Sequence, residues 1–335
     1  MNIKKILVYS NGELIGDAIY KLNFLFNLKN NFPKSKIIWL VANKTAYETV
    51  LKEISRPFID QIISIGYGKK FWNDFVFMPK AISNLNVDII IDTQKSFFRS
   101  MLIKKIPHKI FVTDSFHGLF SNIKKNSLKR QLTLNEQLLD HISCLKKHLN
   151  SKLIYKDFQL APKKNIQLIV DKLFSKHKKY IGYSVSAGDK NKIWPIKNFI
   201  NLAKFFSKAG YVPTFFIGPD EKKEYQYLKK YVPGAFFPEV SIKRRNKEIN
   251  GIELAVSVAN KMQCCIANDS GTGHIISLSN TQLISLFSKH RPEKYRPLTK
   301  KLIIIDSKYF GGKKSSEIPY NYVKKTLADC LDKLN

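Results

Sequence analysis

The sequence predicts an α/β protein built from two parallel sheets, and three observations support this fold class. Short apolar segments alternate with stretches of helical periodicity along nearly the whole chain. The apolar segments are continuous rather than alternating, which is typical of strands buried on both faces of a parallel sheet. The chain has 335 residues, which suggests two domains at roughly 150 residues each.

The first half is predicted to be a Rossmann-like domain, residues 1–160, with five strands separated by helices. The predicted strands are 4–10, 36–42, 61–66, 87–93 and 109–112, and the predicted helices are 16–31, 44–54, 71–84 and 95–105. The basic stretch 121–133 is predicted to be a mobile loop or a solvated, charged face.

The second half is predicted to be another Rossmann-like domain, residues 161–318, followed by a closing amphipathic helix, 319–335. A polar segment with a proline, 156–167, separates the halves. The predicted strands are 180–187, 211–218, 235–240, 263–269, 281–288 and 301–306, and the predicted helices are 196–209, 220–231, 251–261 and 272–279. Ligands of such folds bind at the carboxyl ends of the strands, so we expect the ligand between the two halves.

The charge balance favours an anionic partner. Lys and Arg number 57 against 26 Asp and Glu, a net charge of +31. A genome rich in lysine codons explains many lysines but not the imbalance of sign. Nucleic acid, an anionic membrane face and phosphorylated substrates would all fit. The basic residues are spread along the chain and no nucleic-acid module is recognisable, so nucleic acid is not the expected partner.

Cysteine usage and hydropathy predict a cytoplasmic protein, or one peripheral at the inner face of the inner membrane. The four cysteines form no CxxC pair and have no spacing suited to zinc. No apolar run reaches the roughly 18 residues of a membrane-spanning helix, and the N-terminus does not read as a signal peptide.

The hexapeptide DSGTGH follows the apolar segment CCIAN, which predicts a strand, a turn and a helix start. A helix N-terminus presents unpaired backbone N–H groups and the positive end of the helix dipole. Gly271 and Gly273 would let a diphosphate approach the backbone closely, and Ser270, Thr272 and His274 would add hydrogen-bond donors. Alternatively, Ser270 or Thr272 only caps the helix and the glycines only form the turn.

Gly16 and Asp17 open the first predicted helix, directly after the first strand. A carboxylate at this position could take a proton from an acceptor hydroxyl. Alternatively, Asp17 is a first-turn acid that only complements the helix dipole.

Ser186, Lys190 and Lys192 follow the first strand of the second half, in the segment SVSAGDKNKIWP. Lysines at a strand end suit phosphate oxygens. Lys190 reads equally well as a surface lysine, whereas Lys192 immediately precedes an Ile-Trp-Pro anchor that fixes the start of the next helix.

Taken together, these motifs resemble glycosyltransferase family 9, the ADP-heptose:lipopolysaccharide heptosyltransferase family. The family shows a Gly-Asp helix start, a Lys-x-Trp-Pro element and an Asp-Ser/Thr-Gly-x-x-His turn. This chain has IGDAIY at 15–20, KIWP at 192–195 and DSGTGH at 269–274. A further match is the strand and polar loop TQLISLFSKHRPEKYRP at 281–297, although Ser288 stands where the family often has Gly.

The resemblance implies a GT-B fold, with two Rossmann-like domains facing across a central cleft. It also implies inverting, metal-independent transfer of a sugar, heptose from ADP-heptose, onto a lipopolysaccharide core or related surface-glycan acceptor. No cofactor and no metal ion are expected. The partners are then a nucleotide-sugar donor, an anionic glycolipid or polysaccharide acceptor, and an anionic membrane in peripheral contact.

The resemblance also assigns roles to individual residues. The catalytic base falls on Asp17, and the diphosphate-binding lysine falls on Lys192. The donor-binding residues implied are Ser186, Lys192, Glu221, Asp269, Ser270, Gly271, Thr272, Gly273 and His274. The candidates for acceptor contacts, which follow the first strand and the strand VDIIID, are Gly16, Lys95 and Arg99.

Three other functions are compatible with the same pattern. A sugar-nucleotide epimerase shares the GT-B fold but needs no acceptor. A non-catalytic nucleotide-sugar-binding relative would keep the donor motif, although retention of Asp17 and Lys192 argues against it. A nucleic-acid-binding protein is suggested by the charge alone.

Overall fold

The computed structural model describes residues 2–65, 80–123, 133–243 and 248–333. The chain divides into an N-terminal unit, Met1–Phe158, and a C-terminal unit, Gln159–Asn335. Most of the predicted helix 71–84 and most of the predicted loop 121–133 lie outside the described residues.

The N-terminal unit contains a parallel five-stranded sheet in the order β3-β2-β1-β4-β5. Its strands are β1 (Lys5–Ser10), β2 (Lys36–Val41), β3 (Gln61–Ser64), β4 (Val87–Asp92) and β5 (His108–Thr113). Its helices are α1 (Ile15–Asn31), α2 (Lys52–Ser55), α3 (Lys80–Ser83), α4 (Phe97–Lys104) and α5 (Leu134–His148).

The C-terminal unit contains a second parallel five-stranded sheet, in the order β10-β9-β8-β6-β7. Its strands are β6 (Lys179–Ser184), β7 (Tyr211–Phe215), β8 (Cys264–Asn268), β9 (Gln282–Phe287) and β10 (Leu302–Asp306). Its helices are α6 (Lys164–Leu173), α7 (Ile196–Lys208), α8 (Lys222–Tyr231), α9 (Pro238–Lys243), α10 (Gly251–Ala259), α11 (Gly271–Ile276), α12 (Pro292–Tyr295) and α13 (Tyr320–Asp332).

The predicted α/β class with two Rossmann-like parallel sheets is confirmed. Central strands are buried along their whole length, as β4 and β8 show. Burial on both faces explains why these strands read as continuous apolar runs in the sequence. The closing helix α13 packs its apolar face, including Val323 and Leu327, into the core of the C-terminal unit.

The prediction of a strand at 235–240 is wrong. Phe236 forms only an isolated parallel bridge with Thr214, and helix α9 begins two residues later at Pro238. Proline has no N–H to donate to a sheet ladder, and its fixed φ suits the first position of a helix. The predicted helix 44–54 is also shorter than expected, because a 3₁₀ turn at Ala46–Glu48 precedes the single turn of α2.

Two of the longer helices, α5 and α6, were not predicted. Helix α5 begins after Thr133, whose side chain accepts a hydrogen bond from Glu136 N, while the Glu136 carboxylate accepts one from Thr133 N. This capping box is visible in the sequence as TLNE. Helix α6 begins at Lys164, inside the segment interpreted as a polar connection.

An asparagine ladder on α1 holds the last residues of the N-terminal unit. Asn31 exchanges two hydrogen bonds with the backbone of Ile154, and Asn27 does the same with Lys156. Two residues further along the same segment, the N–H of Phe158 donates a hydrogen bond to Asn23 Oδ1. Side chains four residues apart lie on one helix face, and alternate residues of an extended chain face the same way. The spacing of the asparagines therefore matches the extended segment.

Candidate active site

Each sheet has one point at which the strand order reverses, between β1 and β4 in the N-terminal unit and between β6 and β8 in the C-terminal unit. Ligands of open parallel sheets bind at the carboxyl ends of the strands beside this switch point. Most of the predicted site residues follow these four strands: Gly16 and Asp17 after β1, Lys95 and Arg99 after β4, Ser186 and Lys192 after β6, and Asp269–His274 after β8.

Asn268, the last residue of β8, links the loop after β6 to the end of β8. Its buried side chain accepts a hydrogen bond from Trp194 N at 3.0 Å and donates one to Val185 O at 2.8 Å. The indole N–H of Trp194 in turn donates to Ile318 O at 2.9 Å. The loop that carries Lys192 is thereby fixed against the turn after β8, as the Lys-x-Trp-Pro pattern alone could not show.

Ser270 is the N-cap of helix α11, since its hydroxyl accepts a hydrogen bond from Gly273 N at 3.2 Å. Ser270 therefore caps the helix, as the alternative interpretation of this residue expected. The N–H groups of Gly271 and Thr272, the first two of the helix, have no intrahelical acceptor and remain to bind a ligand. At Gly273, an added Cβ would lie 3.0 Å from Asn268 O, so close backbone packing alone accounts for this glycine.

Lys192, Asp269 and His290 form a charged cluster at the same place. The Asp269 carboxylate Oδ2 lies 3.0 Å from Lys192 Nζ and 2.8 Å from His290 Nδ1. Lys192 Nζ also donates to Asp269 O at 3.1 Å. The side chains of Lys192 and Asp269 are 13% and 3% exposed, whereas His290 is 40% exposed. The carboxylate is thus buried beneath the Lys192 ammonium and the His290 imidazole, and the histidine is partly exposed to solvent.

His290 was missed by the sequence analysis, which noted only a polar loop after the strand that is now β9. The available signal was its place directly after a predicted strand, at the edge where ligands of such sheets bind. Two contacts join the loop after β9 to the segment that carries Lys192. Ser288 Oγ donates to Asn191 O at 3.0 Å, and Lys289 Nζ pairs with Asp189 Oδ2 at 2.6 Å. The hydroxyl of Ser288, absent from glycine, therefore adds a contact between the two loops.

His274 is buried on helix α11. Burial lowers the pKa of its imidazole to about 4, with the nearby Asp269 carboxylate acting in the opposite direction. The ring is therefore neutral at physiological pH and offers one N–H donor rather than a positive charge.

Glu221 and Ser186 come together beside β7, although they are distant in sequence. The Glu221 carboxylate accepts hydrogen bonds from Gly218 N, at 2.9 Å, and from the Ser186 hydroxyl. Burial raises the pKa of Glu221, and these hydrogen bonds oppose that shift. The adjoining cavity has a volume of about 460 Å³ and is lined by Ile217, Gly218, Pro219, Lys222, Tyr225, Gln226, Glu239 and Val240.

Asp17 is the third residue of α1 and its side chain is exposed. No hydrogen bond or ion pair to this carboxylate is formed by any residue in the described part of the N-terminal unit. The carboxylate is therefore accessible and is not used in folding contacts.

A buried ion pair joins the loop between β1 and α1 to helix α1 itself. Lys21 Nζ is 2.8 Å from Glu13 Oε1 and 2.6 Å from Ser10 Oγ, and both charged side chains are almost fully buried. Gly12 has φ of +129°, and a Cβ there would lie 2.8 Å from Lys44 O. The loop between β1 and α1 is thus held rigidly against the loop after β2.

Lys95 and Arg99 are less strongly constrained. Lys95 is exposed and its Nζ donates to Gln137 Oε1 at 2.9 Å. Arg99 is half-buried and lies near the Tyr9 hydroxyl, where its charge opposes the rise in the pKa of Tyr9 that burial causes. Asp92, at the end of β4, is buried and accepts from Ser100 Oγ and Thr113 Oγ1.

The sequence match decides the family. The profile of glycosyltransferase family 9 (heptosyltransferase) matches residues 78–321. The chain belongs to glycosyltransferase family 9. The prediction of a glycosyltransferase enzyme is therefore confirmed. Among the described residues, no helix is long and apolar enough to cross a membrane, and no group of three or more acidic, His or Cys side chains is arranged to hold a metal ion.

Two curated relatives align along most of their length. The chain is 20% identical over 319 residues to lipopolysaccharide core heptosyltransferase OpsX of Haemophilus influenzae, covering 91% of this chain and 87% of the relative. It is 26% identical over 304 residues to lipopolysaccharide heptosyltransferase 1 of Campylobacter coli, covering 86% and 84%.

Solved structures share the fold. A family 9 glycosyltransferase of Veillonella parvula superposes with a TM-score of 0.72 at 18% identity, over 99% of this chain and 98% of that one. The Escherichia coli heptosyltransferase WaaC, solved with ADP, gives a TM-score of 0.66 at 15% identity, over 97% and 99%. The predicted GT-B type of fold is confirmed by these similarities.

Proposed function

We propose that the chain is an inverting heptosyltransferase that moves heptose from ADP-heptose onto a lipopolysaccharide core acceptor. Family membership supports the reaction class, and the names of the curated relatives support heptose and lipopolysaccharide. The observation that carries the proposal is the cluster of Lys192, Asp269 and His290 beside the turn after β8.

The charged cluster is suited to the diphosphate of the donor. Lys192 and His290 would face the phosphate oxygens, and the N–H groups of Gly271 and Thr272 would donate to them. Asp269 carries the same sign of charge as a diphosphate. We therefore assign it the role of holding Lys192 and His290 in place, with its own contacts to phosphate excluded by repulsion.

The cavity beside Glu221 would take the nucleoside of the donor. Its volume, about 460 Å³, lies within the roughly 300–1,000 Å³ of small-molecule sites. The Glu221 carboxylate is bonded to the backbone of Gly218, which lines the cavity, and it is a hydrogen-bond acceptor suited to ribose hydroxyls. Ser186 holds that carboxylate, which would explain a donor-site role for Ser186 without a contact to the nucleotide.

Asp17 would act as the general base. As the acceptor hydroxyl attacks the anomeric carbon, its proton passes to the Asp17 carboxylate. The bond between the anomeric carbon and the diphosphate oxygen breaks, and the nucleoside diphosphate leaves with the electron pair. One displacement from the opposite face inverts the anomeric configuration. Because the leaving group becomes more negative, Lys192 and the backbone N–H groups stabilise the transition state more than the ground state.

The N-terminal unit would bind the acceptor and the C-terminal unit the donor, with the reaction in the cytoplasm. Lys95 and Arg99 carry positive charge at the carboxyl edge that also holds Asp17, as phosphorylated core sugars would require. The four cysteines are buried free thiols, which agrees with a reducing compartment.

The experiment is a transfer assay with a panel of ADP-, GDP-, UDP- and CDP-sugars in the presence of EDTA, using heptose-deficient lipopolysaccharide as the acceptor. We expect one heptose to be added from ADP-heptose, with an inverted anomeric centre in the product, as read by mass spectrometry and NMR. Thermal shift with each nucleotide-sugar measures donor binding separately, since a ligand that binds only the folded state raises Tm.

The outcomes distinguish the parts of the proposal. Transfer from another nucleotide-sugar would contradict the donor assignment. Activity abolished by EDTA and restored by a divalent ion would contradict metal independence. Conversion of the donor without an acceptor would favour an epimerase.

A further inference from the structure

The carboxyl edge of the N-terminal sheet carries a cluster of exposed aromatic side chains. Among the described residues four phenylalanines are exposed, and three of them lie here: Phe97 and Phe98 at the start of α4, and Phe116 after β5. Leu119, 68% exposed, extends the cluster. With the half-buried Phe120, these residues form what we call the aromatic surface.

The rings of the aromatic surface pack against one another. The ring centroid of Phe97 lies 5.4 Å from Phe98, 5.5 Å from Phe116 and 5.2 Å from Phe120. Single exposed apolar side chains are normal on a protein surface and need no explanation. A contiguous group that leaves several rings in water is unfavourable for an isolated protein and marks an interaction site.

The backbone holds Phe116 outward at a conformational cost. Phe116 and His117 have φ of 47° and 56°, in the left-handed region that bulky side chains rarely adopt. The turn is tied back to β5 by two hydrogen bonds that Asn122 and Phe111 exchange, at 2.7 and 2.8 Å. Such strain persists only where the surrounding structure enforces it, and it concentrates at functional positions.

Positive charges border the aromatic surface. Lys104 Nζ lies 5.6 Å from the centroid of the Phe120 ring, and Lys95 and Arg99 flank the phenylalanines on α4 and the preceding loop. Aromatic rings beside basic side chains suit the interface of an anionic bilayer, where rings enter the head-group region and cations meet lipid phosphates. A protein partner of this surface would have to be acidic at its rim.

We infer that the aromatic surface docks the enzyme on an anionic phospholipid bilayer. The inference deepens the proposed function and rests on it for its purpose, because a lipopolysaccharide acceptor is anchored in a membrane. Asp17 follows β1 at the same edge of the same sheet. Docking through this edge brings the proposed base to the head-group layer, where the sugars of a glycolipid are found.

The test is co-sedimentation of the full chain with two kinds of vesicle, phosphatidylglycerol with phosphatidylethanolamine, and phosphatidylcholine alone. The test variant combines Phe116→Asn, which suits the left-handed backbone, with Leu119→Ser. The matched control is Phe205→Ser, the exposed phenylalanine of the C-terminal unit. Lys104→Gln removes one bordering charge.

We expect salt-sensitive binding of the wild type to the anionic vesicles only. The double variant should bind at least about tenfold more weakly, since two apolar side chains no longer enter the lipid. Lys104→Gln should bind about fivefold more weakly, and Phe205→Ser should bind like the wild type. The double variant should transfer normally to a water-soluble, deacylated acceptor and poorly to the same acceptor embedded in vesicles.

Other outcomes overturn the inference. These are a wild type that anionic vesicles do not retain, and a double variant that they retain as well as the wild type. Self-association that the double variant abolishes, without vesicle binding, would assign the aromatic surface to a second copy of the chain. If the wild type binds vesicles as expected but transfers to no acceptor, the proposed function fails and the docking surface stands.

Discussion

The carboxyl edges of the two sheets differ in the burial and pairing of their charged side chains. In the C-terminal unit, the charges of Lys192 and Asp269 are largely buried and paired with each other. In the N-terminal unit, the buried pair of Lys21 and Glu13 joins α1 to the loop before it, whereas Asp17 in the first turn of α1 is exposed and unpaired among the described residues.

The difference fits the two tasks that we propose for these sites. A site for a leaving diphosphate benefits from charges that are already oriented, because nothing then has to reorganise as negative charge develops. A general base must instead remain accessible to the hydroxyl that it deprotonates. Substitutions in one unit at a time should therefore have different effects, which range from a loss of turnover to a small loss of stability.

Replacing the exposed acid should abolish chemistry and leave the fold intact. We expect Asp17→Asn to lower kcat by about 10²- to 10⁴-fold, the usual contribution of a general base. The KM for the donor and the Tm should stay unchanged, because the side chain forms no structural contact in the described residues. Steady-state kinetics and thermal unfolding measure both. Glu53→Gln, an exposed acid on α2, is the control, and normal turnover by Asp17→Asn would exclude Asp17 as the base.

Replacing the paired lysine should damage both activity and stability. We expect Lys192→Ala to lower kcat/KM by about 10²- to 10³-fold, as when one electrostatic donor is lost. It should also cost about 3 kcal/mol of unfolding free energy, because the Asp269 carboxylate stays buried without its main partner. Lys190→Ala, in the same 3₁₀ turn but exposed, should be silent.

A second variant separates the two effects of Lys192. The double substitution Lys192→Met with Asp269→Asn removes both buried charges and should recover most of the stability without recovering transfer. Recovery of activity as well would show that the charge of Lys192 is dispensable.

The two units should respond to pH in opposite directions. Burial raises the pKa of Asp92 to about 6, and its hydrogen bonds from Ser100 Oγ and Gln94 N oppose that rise. The folded N-terminal unit therefore binds a proton more tightly than the unfolded chain, and it should lose about 3 kcal/mol as pH rises from 3.8 to 6. His274, with its pKa lowered to about 4, should cost the C-terminal unit a similar amount as pH falls from 6.5 to 4.

Hydrogen exchange followed by mass spectrometry can measure this difference separately in β4 and β8 between pH 4 and 7. Asp92→Asn should flatten the pH dependence of β4 alone, and His274→Gln that of β8 alone. Parallel pH profiles for the two strands would contradict the prediction that Asp92 and His274 change stability in opposite directions as pH rises.

A glycine substitution should test the rigidity of the loop that leads into α1 and Asp17. We expect Gly12→Ala to cost about 1–3 kcal/mol, since its φ of +129° and the contact with Lys44 O exclude a Cβ. It should also reduce kcat by displacing Asp17. At Gly188 nothing lies within 4 Å of an added Cβ, so Gly188→Ala should change stability by less than about 0.5 kcal/mol. If chemical denaturation gives equal losses of unfolding free energy for the two substitutions, the positive φ and close packing of Gly12 do not restrict this position.

Much of the fold could be predicted because its signals are local. Continuous apolar runs, followed by turns and helical periodicity, identified the strands of both sheets to within a few residues. The prediction failed at 235–240, where the apolar pair before Pro238 resembles a strand but contributes only one bridge. Helix α5 was missed although its capping box can be recognised in the sequence. The basic stretch before it favoured the prediction of a loop.

The sequence by itself determined which residue types follow β1, β6 and β8, and hence that a carboxylate, a lysine and a glycine-rich turn lie at sheet edges. Only the tertiary structure decided that Lys192 meets Asp269, 77 residues away, that His290 joins them, and that Ser186 holds Glu221. The physical reason is that periodicity and capping act over one or two turns of chain. Ion pairing and burial depend on which strands the sheet places side by side, and that order is a property of the packed fold.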